Sequence, residues 1–197
     1  YFQIGTVWLP LPHALMMWLA RDDNWWRSGL AGAIPPAAGY VLAGAFLYAA
    51  VRRVFDSRAA AATALAAFSL NPNLLYLQAT PMTEPIFFAC LTALLYFTVR
   101  FRSTQSGGAV LGAGIAALAG TLTRYEGWFL IPFVTVYFLA AAKRKKLVWA
   151  FVFGVIASLG PVYWLVHNWW YWGDCFEFYR GPYSAKAIYE RALATGM

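Results

Sequence analysis

The stretch KRKKLVWAFVFGVIASLGPVYWLV, residues 143–166, sets four cations against twenty consecutive residues without a charge. A helix rises 1.5 Å per residue, so twenty residues reach about 30 Å, the thickness of a bilayer's hydrocarbon core. The segment therefore reads as a membrane span whose basic end stays in the cytoplasm. Gly160-Pro161 within it predicts a kink.

Residues 28–51, 59–83 and 85–99 repeat the pattern of long charge-free sequence. The 197 residues are 61% hydrophobic and 12% charged, with a mean hydropathy of +0.55. A water-soluble domain needs a polar shell that this composition lacks, so lipid is the solvent for most of the chain.

A net charge of +7 would suit nucleic acid if the cations formed one surface. Instead they fill gaps between apolar runs. Arg52, Arg53 and Arg58 form one cluster, Arg100 and Arg102 a second, and Lys143, Arg144, Lys145 and Lys146 a third. These hold nine of the 15 basic residues but only Asp56 of the eight acids, the signature of cytoplasmic loops. No nucleic-acid partner is expected.

Turning each cluster inward predicts an all-α polytopic membrane helix bundle of about six spans, one membrane-embedded domain over 1–197. The spans are 34–51, 59–77, 85–99, 109–123, 129–142 and 147–166, with 1–29 and 167–197 external or interfacial. Pro35 and Pro36 fall in the first turn of the first span, where missing donors cost little. Asn71-Pro72-Asn73 interrupts the second. Gly112, Gly114, Ala116 and Gly120 allow close helix approach in the fourth. Residues 7–20 read as a short helix at the membrane surface or a partial insertion, with Trp8, Trp18, Trp25 and Trp26 at the interface, and a short amphipathic helix begins at Ser184. Cys90 lies mid-span and Cys175 outside, so no disulfide is expected. The chain starts at Tyr1 within an aromatic stretch and carries no signal-peptide pattern, so we expect a fragment of a longer protein.

This topology gathers the unusual polar residues at one face. TPMTEP, residues 80–85, places Glu84 before Pro85, with Thr83 and Thr80 beside it. The simplest reading is an N-cap of the third span, favoured by the helix dipole. The functional reading is a carboxylate that holds a sugar hydroxyl, a divalent ion or a catalytic partner. TRYEGW, residues 123–128, sets Arg124 and Glu126 around Tyr125. They form either an interfacial anchor or a phosphate site, since a guanidinium forks two donors onto phosphate oxygens. His13 and His167 either snorkel at the headgroups or contact substrate, and Asp174 punctuates an aromatic external loop. HExxH, CxxC, GxSxG and Walker A patterns are absent, and no metal site is predicted.

The order QIGTVWLPLPH (3–13), NPNLLYLQATPMTEP (71–85), LTRYEGWFLIPF (122–133) and HNWWYWGDCFEFYRGPYSAKA (167–187) resembles the GT-C glycosyltransferases. The nearest likeness is to bacterial and archaeal members close to glycosyltransferase family 39, lipid-linked-sugar transferases related to protein O-mannosyltransferases and aminoarabinose transferases. The resemblance implies transfer of a sugar from a polyprenyl-phosphate donor to a lipid, glycan or protein acceptor. The active face would be the periplasmic or extracellular side of the cell inner membrane. It also implies inversion at the anomeric carbon, with a carboxylate taking the acceptor's proton and basic side chains holding the departing lipid phosphate. Glu84 matches the acidic position after the third family span. Arg124 becomes the phosphate candidate, and Glu126 orients it or the sugar. Thr80, Thr83, His13, His167 and Asp174 become candidate substrate contacts, and a divalent cation is the one cofactor considered.

The family's main base lies in the first external loop, upstream of where this chain begins. Asp22 and Asp23 read as a solvated pair, so this piece is expected to be inactive alone. A transporter or structural subunit is the competing class; a transporter would place carboxylates at mid-membrane.

Overall fold

The computed structural model describes residues 5–195, so Gln3 and Ile4 of the first motif and residues 1–4 of the expected external segment lie outside the described residues. Among those described, every regular element is a helix. Two short helices, α1 (Pro10–Leu19) and α2 (Asp23–Ser28), precede the first long one, α3 (Leu30–Phe55). Asp22 caps α2 by accepting from Asn24 N and Trp25 N, and the exposure of its neighbours agrees with a solvated role for the acids there. Gly29 then adopts φ +79°, a left-handed turn that only glycine takes without strain, and joins α2 to α3. Because Gly29 starts α3 early, Pro35 and Pro36 lie inside the helix rather than in its first turn as expected.

The second expected span, 59–77, is two helices, α4 (Arg58–Ser69) and α5 (Pro72–Gln78). Asn71 turns its side chain onto Asn73 N and Leu74 N, and Pro72 has no donor to continue α4, so the segment restarts instead of crossing as one rod. Next come α6 (Glu84–Thr104), α7 (Gly107–Thr121), α8 (Glu126–Ala141) and α9 (Lys146–Trp172), then α10 (Glu177–Arg180) and α11 (Ala185–Ala194).

Helices α3, α6 and α9, of 26, 21 and 27 residues, are long and apolar enough to cross a membrane. They contain the expected spans 34–51, 85–99 and 147–166, each extended at one or both ends. α7 and α8 are apolar but have 15 and 16 residues, about 23 and 24 Å of helix, short of a full crossing by themselves. α9 runs on through Gly160-Pro161 as one helix.

The core lies where α7 meets its neighbours. Ala109, Val110 and Ala113 are fully enclosed, and Phe101 of α6, Phe138 of α8 and Phe153 of α9 close around them. The rings interlock, with Phe138 4.9 Å from Phe101 and 5.1 Å from Phe153 between centroids. The small residues of α7 permit this approach: Phe97 fills the space where Gly112 would carry a Cβ, and Ile156 does the same at Gly114. α3 packs most extensively on α6, so the two long spans form the frame.

Hydrogen bonds tie each end of the bundle across separate helices. At the basic end, Arg53 donates to Ser103 Oγ, linking α3 to α6. Gln105 donates to Ala141 O and accepts from Lys143 N, linking α6 to the loop before α9. The three basic clusters therefore share one end, and TPMTEP and TRYEGW share the other.

Candidate functional site

Glu84 opens α6, but Thr83 is the N-cap and no side chain caps the turn. The expected capping role for Glu84 is therefore not the one it plays. Pro85 lacks the N–H that the first turn would leave unused, so the helix can begin one residue earlier without losing a bond. The Glu84 carboxylate turns sideways to Arg124, 40 positions along the chain, whose Nη1 donates to Oε1 at 2.8 Å. Glu84 Oε2 is buried without a hydrogen-bond partner.

Arg124 sits in the turn between α7 and α8, held by its N–H on Gly120 O. Its guanidinium reaches three groups. Nη1 also donates to Thr83 Oγ1 at 3.1 Å, while Nε and Nη2 both donate to Glu126 Oε1 at 3.2 and 2.8 Å. Four of its five N–H donors are thus engaged. A two-pronged grip on phosphate needs one carboxylate to let go. The Glu126 hydrogen bond is the main influence raising the guanidinium's pKa, with both carboxylate charges adding to it against partial burial.

The cluster borders a cavity of about 770 Å³. Thr83, Thr123, Arg124 and Glu126 contribute polar groups, and most of the wall is apolar: Val7 and Leu9 before α1, Trp128, Phe129 and Pro132 of α8, and Phe178 of α10. Ser184, Ala185 and Lys186 close the side formed by the start of α11. Phe129 and Phe133 on α8 are 73% and 71% exposed, so the cavity opens beside a face made for acyl chains.

Tyr125 organises this wall, a role the sequence does not announce. Its hydroxyl accepts from Trp164 Nε1 of α9 at 2.9 Å and donates to Val7 O at 2.8 Å, while its ring stacks on Phe178 at 5.0 Å. Burial pushes the phenol's pKa up, partly offset by the Trp164 bond, so it remains a neutral donor. The motif TRYEGW marks the residue, but its partners lie 118 and 39 positions away and carry no local signal. Lys186, inside a short amphipathic helix, is likewise silent in the sequence.

Glu84 adjoins the cavity only through its partners Arg124 and Thr83 and does not line it, and neither do the remaining expected site residues. Thr80 Oγ1 donates to Leu77 O at the end of α5, and His13 Nδ1 lies 3.2 Å from Leu9 O. His167 is 8% exposed and does not snorkel: its ring stacks 4.8 Å over Trp164 with Tyr171 alongside. Asp174 accepts from Phe176 N and faces Arg180 at 3.8 Å. The cysteines are both free. Among the described residues, no three His, Cys, Asp or Glu side chains gather as a metal site.

A model of the dolichyl-phosphate-mannose-protein mannosyltransferase family matches residues 14–171. No curated protein and no solved structure matches the chain. The matched segment includes α3, α6, all of α9 but Trp172, and the Glu84, Arg124 and Glu126 cluster. The chain belongs to the dolichyl-phosphate-mannose-protein mannosyltransferase family, membrane glycosyltransferases of the GT-C kind.

Proposed function

We propose that the protein transfers a sugar from a polyprenyl-phosphate donor to a lipid, glycan or protein acceptor at the outer face of the cell inner membrane. The observation that carries this reading is the Glu84–Arg124–Glu126 cluster beside a mostly apolar cavity, at the end of the bundle away from the basic clusters. An apolar cavity with a few convergent polar groups suits a ligand that is part lipid and part sugar. The positive-inside bias of the basic clusters supports reading that end as the outer one.

In this reading Arg124 fixes both carboxylates by charge-assisted hydrogen bonds. Glu84 is not part of the cavity wall; its Oε2, buried and unpartnered, is the acceptor that a substrate hydroxyl satisfies once that wall opens. Glu126 and Arg124 line the cavity, and there they orient the sugar end of the donor. The acceptor oxygen bonds to the anomeric carbon as the bond to the lipid phosphate breaks, and a carboxylate takes the acceptor's proton. The resemblance gives the part of main base to a carboxylate of an external loop, with Glu84 in support. Glu84 and Glu126 are also the carboxylates that a divalent cation would use. Thr80, His13, His167 and Asp174 are proposed to act only through substrate parts beyond the cavity.

Two measurements test this. Membranes containing the protein should transfer labelled sugar from a polyprenyl-phosphate donor; no transfer across a broad donor panel would return the transporter reading. For the face, single cysteines are placed at exposed Arg144 and Tyr183 after Cys90 and Cys175 are replaced. An impermeant thiol reagent should reach position 183 from outside and position 144 only from the cytoplasm. The opposite labelling would overturn the orientation.

A further inference from the structure

The charge around the cavity is lopsided. Arg124 is shared by two carboxylates, so the cluster it holds is anionic by one charge, and one N–H of its guanidinium is left over. An incoming phosphate there meets two negative groups at close range, and like charges repel most strongly where water is scarce. Among the described residues lining the cavity, the other cation is Lys186, in the first turn of α11.

Lys186 is placed very differently. Its ion pair is with Glu190 on its own helix, Nζ to Oε1 at 3.8 Å, too long for a hydrogen bond, and both side chains are more than half exposed. Pairs of this kind hold their partners weakly. The ammonium also stands 6.0 Å from the ring centroid of Tyr179, another residue of the cavity wall. Its three N–H donors therefore remain available to an anion. Val7, Leu9, Phe129 and Pro132 supply an apolar lining between the cluster and the open α8 face. α11 lies beyond the segment matched by the family model.

We infer that Lys186 is the binding residue for the phosphate of a lipid phosphate monoester in this cavity, and that the anion sits at the α11 side, away from the two carboxylates. The assignment rests on the proposed function for its choice of ligand. It fixes the polarity of the site: phosphate toward Lys186, sugar toward Glu84 and Glu126, apolar chain toward α8.

The test is binding without turnover. The full-length protein is reconstituted into phosphatidylcholine vesicles and titrated with a long-chain polyprenyl phosphate and with the uncharged polyprenol. Wild type should prefer the phosphate. Lys186→Gln should weaken phosphate binding by roughly 10-fold or more, the scale of a hydrogen bond to a charged group, and leave polyprenol binding unchanged. Lys186→Arg should restore most of the preference. Equal losses for both ligands would show a merely structural role, and an unaltered preference in Lys186→Gln would place the phosphate elsewhere; either overturns the inference. Loss of the preference in Arg124→Gln alone would give the phosphate to Arg124. Phosphatidylglycerol shares the phosphate group, and its competing equally at the same mole fraction would assign Lys186 to bulk anionic headgroups and refute the monoester. Lys186-dependent binding in a protein that transfers no sugar upholds this inference while the proposed function falls. Sugar transfer with Lys186-independent binding does the opposite, sustaining the proposed function and refuting Lys186 as the phosphate residue.

Discussion

Glu84→Gln abolishes most sugar transfer, by at least about 100-fold, while the protein stays folded. Glutamine keeps the length and shape of the side chain, and its carbonyl still accepts from Arg124 Nη1. The amide nitrogen, however, places a donor where Oε2 now offers a buried, unsatisfied acceptor. On the proposed mechanism a substrate hydroxyl then loses its partner, and the cluster loses a carboxylate charge. The cost to stability is at most about 1 kcal/mol, because both partners of the ion pair keep nearly a third of their side-chain surface exposed. Transfer assays in membranes, normalised to folded protein, read the effect. Full activity in the variant would reduce Glu84 to a partner that positions Arg124.

Gly39→Ala lowers stability by about 1–3 kcal/mol and transfer along with it. A Cβ at Gly39 stands 2.8 Å from Pro85 O and 2.9 Å from Ile86 N and Cα. These are backbone atoms of the first turn of α6, and they cannot rotate aside as a side chain would. α6 must move away from α3, carrying Glu84 away from an Arg124 that is anchored in the α7–α8 turn. Gly154→Ala provides the control: its Cβ approaches only Thr135 Oγ1, at an ordinary 3.6 Å. Thermal unfolding in detergent should separate the two variants, with Gly154→Ala at or above wild type because alanine favours the helix. Equal midpoints would mean that α3 and α6 part freely, and that their contact does not position the site.

Much of the architecture is legible in the sequence, because the solvent of a membrane span leaves its mark residue by residue. The spans within α3, α6 and α9 follow from charge-free length, and their common basic end follows from where arginine and lysine interrupt the apolar runs. The pairing of α4 with α5 is half legible: Asn71-Pro72-Asn73 announces an interruption, but whether the chain kinks or restarts depends on the Asn71 side chain finding two backbone donors. Small residues mark α7 as a packing helix without naming Phe97 and Ile156 as the groups that fill its gaps.

The site is legible as a set of residues and much less so as an arrangement. Glu84, Arg124 and Glu126 stand out individually by their chemistry, and the structure brings them into one cluster. The same criterion also selects His167 and Asp174, which settle into an aromatic cage and a loop turn. Polarity in an apolar chain attracts notice whether the group serves substrate or neighbour. Tyr125 and Lys186 stay hidden for the complementary reason: a tyrosine at the interface and a lysine on an amphipathic helix are ordinary until their distant contacts are known.

One phenol ties the segment before α1, the α7–α8 turn, α9 and α10 together through Val7, Trp164 and Phe178. Those walls can separate only by breaking that junction, whereas the α8 side presents Phe129 and Phe133 as open surface. The easy approach to the cavity is therefore lateral, out of the bilayer, and a ligand that uses it is already confined to a layer about 30 Å deep. A lipid-linked ligand of the kind proposed above is concentrated in so thin a layer, and modest intrinsic affinity then suffices to bind it.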